Sequence, residues 1–185
     1  MPDTTHPPEQ LSLTTPWATE HRPFYVVSKG KFLTLWILSL GLYQLYWAFK
    51  NWKQFERSTG EKQWPVARAL FALFFTHALY RQADAQLKRD GHDFQWRPRA
   101  LATLFVIGML ISNLADALSR RNIGLPITDI VSLGILPITG WITWLGQRAL
   151  NAAAGDPEGR SNARLTPLNY VFMAFVALVL VLALS

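Results

Sequence analysis

The hydrophobic residues of this 185-residue chain are gathered into five separate blocks, with polar and basic segments between them. Each block has 17 to 19 residues, close to the length that an α-helix needs to cross a lipid bilayer. Helices that are apolar on all sides are typical of a lipid environment. The pattern therefore predicts an all-α integral membrane protein, a small bundle of four to five transmembrane helices. The predicted segments are residues 32–49, 64–80, 100–118, 130–147 and 169–185.

The first block, Phe32 to Phe49, contains no charged residue. At a rise of 1.5 Å per residue it reaches about 27 Å, close to the thickness of the hydrocarbon layer. Tyrosine and tryptophan crowd its second half, as they do in an interfacial aromatic belt. We expect this block to cross the bilayer.

The second block, Trp64 to Tyr80, leaves the number of crossings open because it carries Arg68 and His77. It either crosses the bilayer, lies in the interface, or enters the membrane and returns. A narrow stripe of small residues, suited to close packing against another helix, is formed by Ala69, Ala72 and Thr76.

The last three blocks are expected to cross. The block from Ala100 to Leu118 has its polar members, Asn113 and Asp116, late and on one face. The fourth block is interrupted by Pro137, which predicts a kinked helix. The fifth block runs almost to the end of the sequence and is uniformly apolar.

Composition supports lipid as the surroundings of these helices. Only 16% of the residues are charged, against roughly 25% in an ordinary soluble domain. Residues 1–23 are rich in proline and threonine, which predicts a mobile polar tail before a membrane domain over residues 24–185. Cysteine is absent, which excludes thiolate catalysis and disulfides within the chain.

The net charge of +6 comes from lysines and arginines in the segments between blocks. They lack a nucleic-acid-binding signature, so we expect no nucleic-acid partner and interpret them as topology signals. The distribution of lysines and arginines between the two sides of the membrane favours four crossings over five. In the arrangement with four crossings, residues 64–80 do not cross. Both arrangements place loops 81–99 and 148–168 in the cytoplasm, and they differ in the side of the N-terminus.

Short aromatic, glycine and amide patterns run from residue 24 to about residue 170. They are Phe24-Tyr25-Val26-Val27-Ser28, Lys31-Phe32-Leu33, Gly41-Leu42-Tyr43, Tyr46-Trp47, Asn51-Trp52-Lys53, Trp64-Pro65, Arg68-Ala69, Asn151, Asp156-Pro157 and Asn162. In these the chain resembles an uncharacterised family of small multi-pass bacterial inner-membrane proteins. The resemblance implies a bacterial cytoplasmic (inner) membrane and a multi-pass fold, and it transfers no active site.

The sequence has no catalytic signature. Nucleotide-binding glycine motifs and the G-x-S-x-G and H-E-x-x-H patterns are missing, and the four histidines share no metal spacing. We therefore expect no cofactor and no metal. Whether the chain is an enzyme stays open, with the absence of motifs favouring a non-enzyme.

Polar residues inside apolar blocks are the remaining candidates for a site, because an ionisable group at membrane depth costs roughly 2.5–3.5 kcal/mol on insertion scales. One interpretation is an intramembrane lipid-headgroup, proton or ion site. The other is that the arginine extends to the membrane surface while the later residues cap and pack a helix end. The candidate residues are Arg68, His77, Asn113 and Asp116.

Two classes of function remain. The favoured one is a non-enzymatic accessory or scaffold component that binds lipid, another membrane protein or a second copy of itself. The alternative is a small oligomeric transporter or channel that uses the polar residues of the second and third blocks and the interruption near Pro137. An intramembrane enzyme is a third possibility.

Overall fold

The computed structural model describes residues 22–184, which form seven α-helices and no β-strand. The predicted all-α class is confirmed. Residues 1–21 of the predicted tail lie outside the described residues, so the tail stays a prediction. The helices are α1 (Lys29–Leu38), α2 (Tyr43–Thr59), α3 (Pro65–Leu70), α4 (Ala72–Arg89), α5 (Pro98–Ser119), α6 (Ile127–Ala153) and α7 (Pro167–Leu184), with a 3-10 turn at Arg160–Asn162.

A tight turn divides the first apolar block, which differs from the single span that hydropathy predicts. α1 ends at Leu38 and α2 begins at Tyr43. Between them Leu40 and Gly41 have φ of 48° and 83°, left-handed values that glycine adopts without a steric penalty. The Ser39 hydroxyl accepts the N–H of Tyr43 at 2.9 Å. The block therefore folds as a helical hairpin. A hydropathy average over the whole block does not detect such a short turn.

The α1–α2 hairpin packs its aromatic side chains inward. The Phe32 ring lies 5.6 to 6.5 Å, between ring centroids, from four other aromatic rings. Rings at these separations add favourable contacts to the burial of their large apolar area. The four neighbours are Trp36, Tyr43, Trp47 and Trp144 of α6.

α5 and α6 form a long antiparallel pair. Asp116 on α5 accepts a hydrogen bond from Ser132 on α6, and Ser119 donates one to Asp129 close to the connection. α6 is one helix from Ile127 to Ala153 with Pro137 inside it, and the predicted kink at Pro137 stays a prediction. The helix also extends past both bounds of the predicted segment 130–147.

α1 runs antiparallel to α6 and α2 returns alongside. Asn151 of α6 contacts the backbone of Val27 before α1, whereas the Trp36 indole near the end of α1 donates to the Leu136 carbonyl at 3.1 Å. We call the end of the bundle near Asn151 the basic end, and the end at the α5–α6 connection, residues 120–126, the far end. The hairpin begins and finishes near the basic end, because Asn51 of α2 also reaches the backbone there.

The second apolar block also consists of two helices. It breaks at Phe71, between α3 and α4, and α4 continues nine residues beyond Tyr80. The small-residue stripe Ala69, Ala72 and Thr76 is buried, as expected for close packing. α4 lies antiparallel to α5, and the connection between them, residues 90–97, is at the basic end.

Within residues 22–184, two helices, α5 and α6, are long and apolar enough to cross a membrane. Only 22% of the most apolar window of each is buried inside the protein, whereas a core helix of a soluble protein would be mostly buried. α7 is also apolar, and its residues beyond Phe172 are mainly exposed. Outward-facing side chains on α5 and α6 include Leu104, Ile107, Leu110, Leu114, Ile130, Leu133 and Ile138.

Candidate functional site

Buried amide side chains hold an extended segment, residues 24–28, at the basic end. Asn151 accepts the Val27 N–H at 3.1 Å and donates to the Val27 carbonyl at 2.9 Å. Gln147 donates to the Tyr25 carbonyl at 2.8 Å, and Asn51 accepts the Tyr25 N–H at 3.2 Å. An extended segment without a neighbouring strand has no backbone partners for its N–H and carbonyl groups. Here the amide side chains bind those groups instead.

The α6–α7 connection closes over the same segment. Asn162 donates to the Val26 carbonyl at 2.8 Å and accepts from Lys31 Nζ at 2.7 Å. Lys31 also donates to the Arg164 carbonyl at 2.8 Å. Burial lowers the pKa of the Lys31 ammonium from its ordinary value. The arrangement ties the N-terminal segment, α1 and the connection into one polar cluster.

Asp156 fixes the shape of this connection. Its carboxylate accepts the backbone N–H groups of Arg160 at 3.0 Å and Ser161 at 2.9 Å, and it lies 3.5 Å from the Arg22 guanidinium. Burial acts to raise the pKa of Asp156, but the hydrogen bonds from Ser161 and Arg160 and the charge of Arg22 together hold it below its usual value.

Sequence reasoning singled out Asn51, Asn151 and Asn162 only through a family resemblance and missed Gln147. Gln147 and Asn151 are four residues apart on α6, and Gln147 donates to Asn151 at 2.7 Å while accepting from the Trp47 indole at 2.5 Å. Two amides at this spacing at the end of an apolar block were the available signal. Both lie in the second half of α6, which is mostly buried from Thr139 onward.

The four predicted site residues lie in separate surroundings. The Arg68 guanidinium stacks 4.0 Å from the Trp52 ring centroid, and His77 Nε2 lies 3.2 Å from the Thr103 hydroxyl on α5. Asn113 donates to a carbonyl of its own helix at 2.7 Å, and Asp116 is bonded to Ser132. None of these contacts joins two of the four residues. A shared lipid, proton or ion site stays a prediction.

His77 does line a cleft with other residues. The cleft has a volume of about 360 Å³ and lies between α4 and the first turns of α5. Its acid, Asp84, lies 2.7 Å from Lys88 Nζ and accepts the Trp96 indole N–H at 3.1 Å. The lining residues are His77, Arg81, Asp84, Pro98, Arg99 and Thr103.

Among residues 22–184, no group of three histidine, aspartate or glutamate side chains converges as metal ligands do. The side chains of the basic end offer hydrogen bonding and positive charge. No family model, no curated protein and no solved structure matches the chain.

Proposed function

We propose that this chain is a multi-pass protein of a bacterial cytoplasmic membrane that acts as a non-enzymatic accessory or scaffold component, binding lipid or another membrane protein. In the proposed arrangement α5, α6 and α7 cross the bilayer. The α1–α2 and α3–α4 pairs enter it from the basic end and return. The observation that carries the proposal is the outward apolar surface of α5 and α6. In each helix only 22% of the 18-residue apolar stretch is buried inside the protein.

The depth of the α1–α2 hairpin supports a return without crossing. Asn151 and Leu136 mark its base and its tip on α6, and the 15 residues between them rise about 22 Å. A hydrocarbon core is about 30 Å thick, so the tip falls short of the opposite surface. Three leucines at the tip are about half exposed, which favours lipid around it: Leu38, Leu40 and Leu42.

The α3–α4 pair has the same features. Phe71, at the break, is nine residues before Tyr80. At 1.5 Å per residue, Phe71 therefore lies about 13 Å farther from the basic end than Tyr80 does. Large apolar side chains around this break are more than half exposed, namely Leu70, Phe71 and Phe74. An exposed apolar patch on a helical tip beside a spanning helix is stable in lipid and a liability in water.

The charge distribution supports the same orientation. Of the 18 lysines and arginines in the sequence, only Arg120 and Arg121 lie at the far end. Arg68 lies within the α3–α4 pair, and all the others are in segments of the basic end. Because basic segments near spanning helices stay on the cytoplasmic side, loops 81–99 and 148–168 are cytoplasmic in this proposal.

An accessory role is better supported than transport. A conduit needs polar groups that are available to a solute. Asp116, a candidate residue of the third block, accepts from Ser132, and Asn113, the other candidate there, donates to its own helix. Flux of a solute through the purified, reconstituted protein would favour the transporter instead.

Cysteine labelling in membranes tests the arrangement, and the wild-type chain is its own blank because it has no cysteine. We expect Gly30→Cys and Glu61→Cys to react with an impermeant maleimide from the same, cytoplasmic side, and Ile123→Cys from the other. Leu40→Cys should react only after denaturation. If Gly30→Cys and Glu61→Cys react from opposite sides, α1 or α2 crosses and the arrangement is wrong. A protein that stays monodisperse without detergent overturns the membrane assignment itself.

A further inference from the structure

The cleft between α4 and α5 contains two cations without an internal counter-ion. Arg81 comes from α4 and Arg99 from the first turn of α5. Neither guanidinium has an ion-pair partner among residues 22–184. Both side chains are exposed. The one acid of the cleft, Asp84, is already paired with Lys88 at 2.7 Å.

The start of α5 adds to the positive potential of the cleft. Pro98 is at the first helical position, and the preceding residue, Arg97, makes no side-chain cap. The first N–H groups of a helix have no partner within it and favour an anion. His77 and Thr103, joined at 3.2 Å, add polar hydrogens on the membrane side of the two arginines.

The cleft lies at the border between the basic end and the apolar surface. Leu104 follows Thr103 directly on α5, and Ile107 comes one turn later; both side chains are about half exposed. On α4, Phe74 lies three residues before His77 and is 71% exposed. A molecule with an anionic head and long apolar chains matches this succession of surfaces, because its head meets the arginines while its chains follow Phe74 and Leu104.

We infer that the α4–α5 cleft binds the phosphate of an anionic phospholipid, with Arg81 and Arg99 as its charged ligands. Basic clefts between helices on the cytoplasmic side of a membrane are suited to such headgroups. Arginine presents paired N–H donors that match phosphate oxygens. The inference rests on the proposed embedding of α5 in the bilayer, and it names the lipid class that the accessory function would use.

The test compares two double variants that remove equal charge. Arg81→Gln/Arg99→Gln alters the cleft, and Arg120→Gln/Arg121→Gln alters the far end. Delipidated protein in a nonionic detergent is titrated with phosphatidylglycerol, phosphatidylcholine or inorganic phosphate, and bound lipid is counted by native mass spectrometry. Thermal unfolding of each variant checks that the fold is intact; all four side chains are exposed.

We expect the cleft variant to bind phosphatidylglycerol at least about tenfold more weakly than wild type, since two charged contacts are lost. The far-end variant should change by less than about twofold, and phosphatidylcholine should bind wild type more weakly than phosphatidylglycerol. Equal losses in both variants, or no loss in the cleft variant, would overturn the inference. Displacement of the lipid by equimolar inorganic phosphate would reassign the cleft to free phosphate. If the cysteine labelling pattern holds while lipid binding does not change, only the lipid site is wrong.

Discussion

The α1–α2 hairpin and the α5–α6 hairpin are built from apolar sequence, yet they present it in opposite directions. In α1–α2 the large side chains Phe32, Trp36 and Trp47 are at most 1% exposed. In α5 and α6 most large aliphatic side chains face outward. Hydropathy records how apolar a segment is and not which surroundings its residues meet.

The kind of apolar residue separates the two regions. The inward hairpin is rich in tryptophan, tyrosine and phenylalanine, which give much contact area and specific ring geometry. The outward surface of α5 is leucine and isoleucine, which gain little from packing on one another when lipid offers the same contacts. The buried amides Gln147 and Asn151 lie in the second half of α6, which is mostly buried, and they bind the backbone of the N-terminal segment.

The largest expected effect comes from removing the amide that joins the N-terminal segment to α6. Asn151→Leu leaves the Val27 N–H and carbonyl without their side-chain partner. Each buried backbone group left unpaired costs about 1–3 kcal/mol, so we expect a loss of roughly 3–4 kcal/mol in the free energy of unfolding, measured by denaturant titration in detergent.

The control for that variant is Asn113→Leu. Asn113 is exposed on α5 and bonds only to its own helix, so the same substitution should change the free energy of unfolding by less than about 0.5 kcal/mol. Equal losses in the two variants would mean that the segment is not held by Asn151, and the contrast between a buried and an exposed amide of the α5–α6 pair would be lost.

A smaller effect is expected from two glycines of α6. A Cβ at Gly140 would lie 2.6 Å from Trp36 Cδ1 of α1, whereas one at Gly134 meets nothing within 4 Å. We expect Gly140→Ala to destabilise by about 2 kcal/mol through overpacking. Gly134→Ala should be neutral or stabilising by up to about 1 kcal/mol, because alanine is the better helix former.

Thermal unfolding of both glycine variants in the same detergent measures this difference. Loss of stability in Gly134→Ala as large as in Gly140→Ala would show that α6 is packed on both sides. The outward face of α6 would then be an interface between protein surfaces and not one with lipid.

The sequence predicted the helical class, the apolar character of α5, α6 and α7, and the close-packing stripe of the second block. Its bounds for the first block missed the turn at residues 39–42, since one Ser-Leu-Gly step is lost in an average over a span. The turn signal was present: serine bonds to nearby backbone groups and glycine adopts positive φ. Recognising it would have predicted a returning hairpin.

The site was less predictable than the fold. Arg68, His77, Asn113 and Asp116 were chosen because ionisable and amide groups are costly in lipid, but cost alone does not say which of them meet. His77 shares a cleft with Arg81 and Arg99, which belong to the basic segment 81–99 that the sequence analysis placed in the cytoplasm and treated as a topology signal. Placement of α4 against α5 depends on tertiary packing, and no local pattern encodes it.

The smallest expected effect concerns Asp156. Its carboxylate holds the α6–α7 connection at the basic end, through the N–H groups of Arg160 and Ser161. Because the pKa of Asp156 is lowered in the folded protein, its charged form stabilises the fold above the unfolded pKa of about 3.9, and this contribution is lost as the pH falls towards the folded value. Asp156→Asn should cost about 1 kcal/mol at pH 7, because two hydrogen bonds to a charged acceptor become bonds to a neutral one. The difference from wild type should shrink between about pH 5 and pH 3 in denaturant titrations. A difference that is constant across that range would mean that the charge of Asp156 contributes nothing to holding the connection.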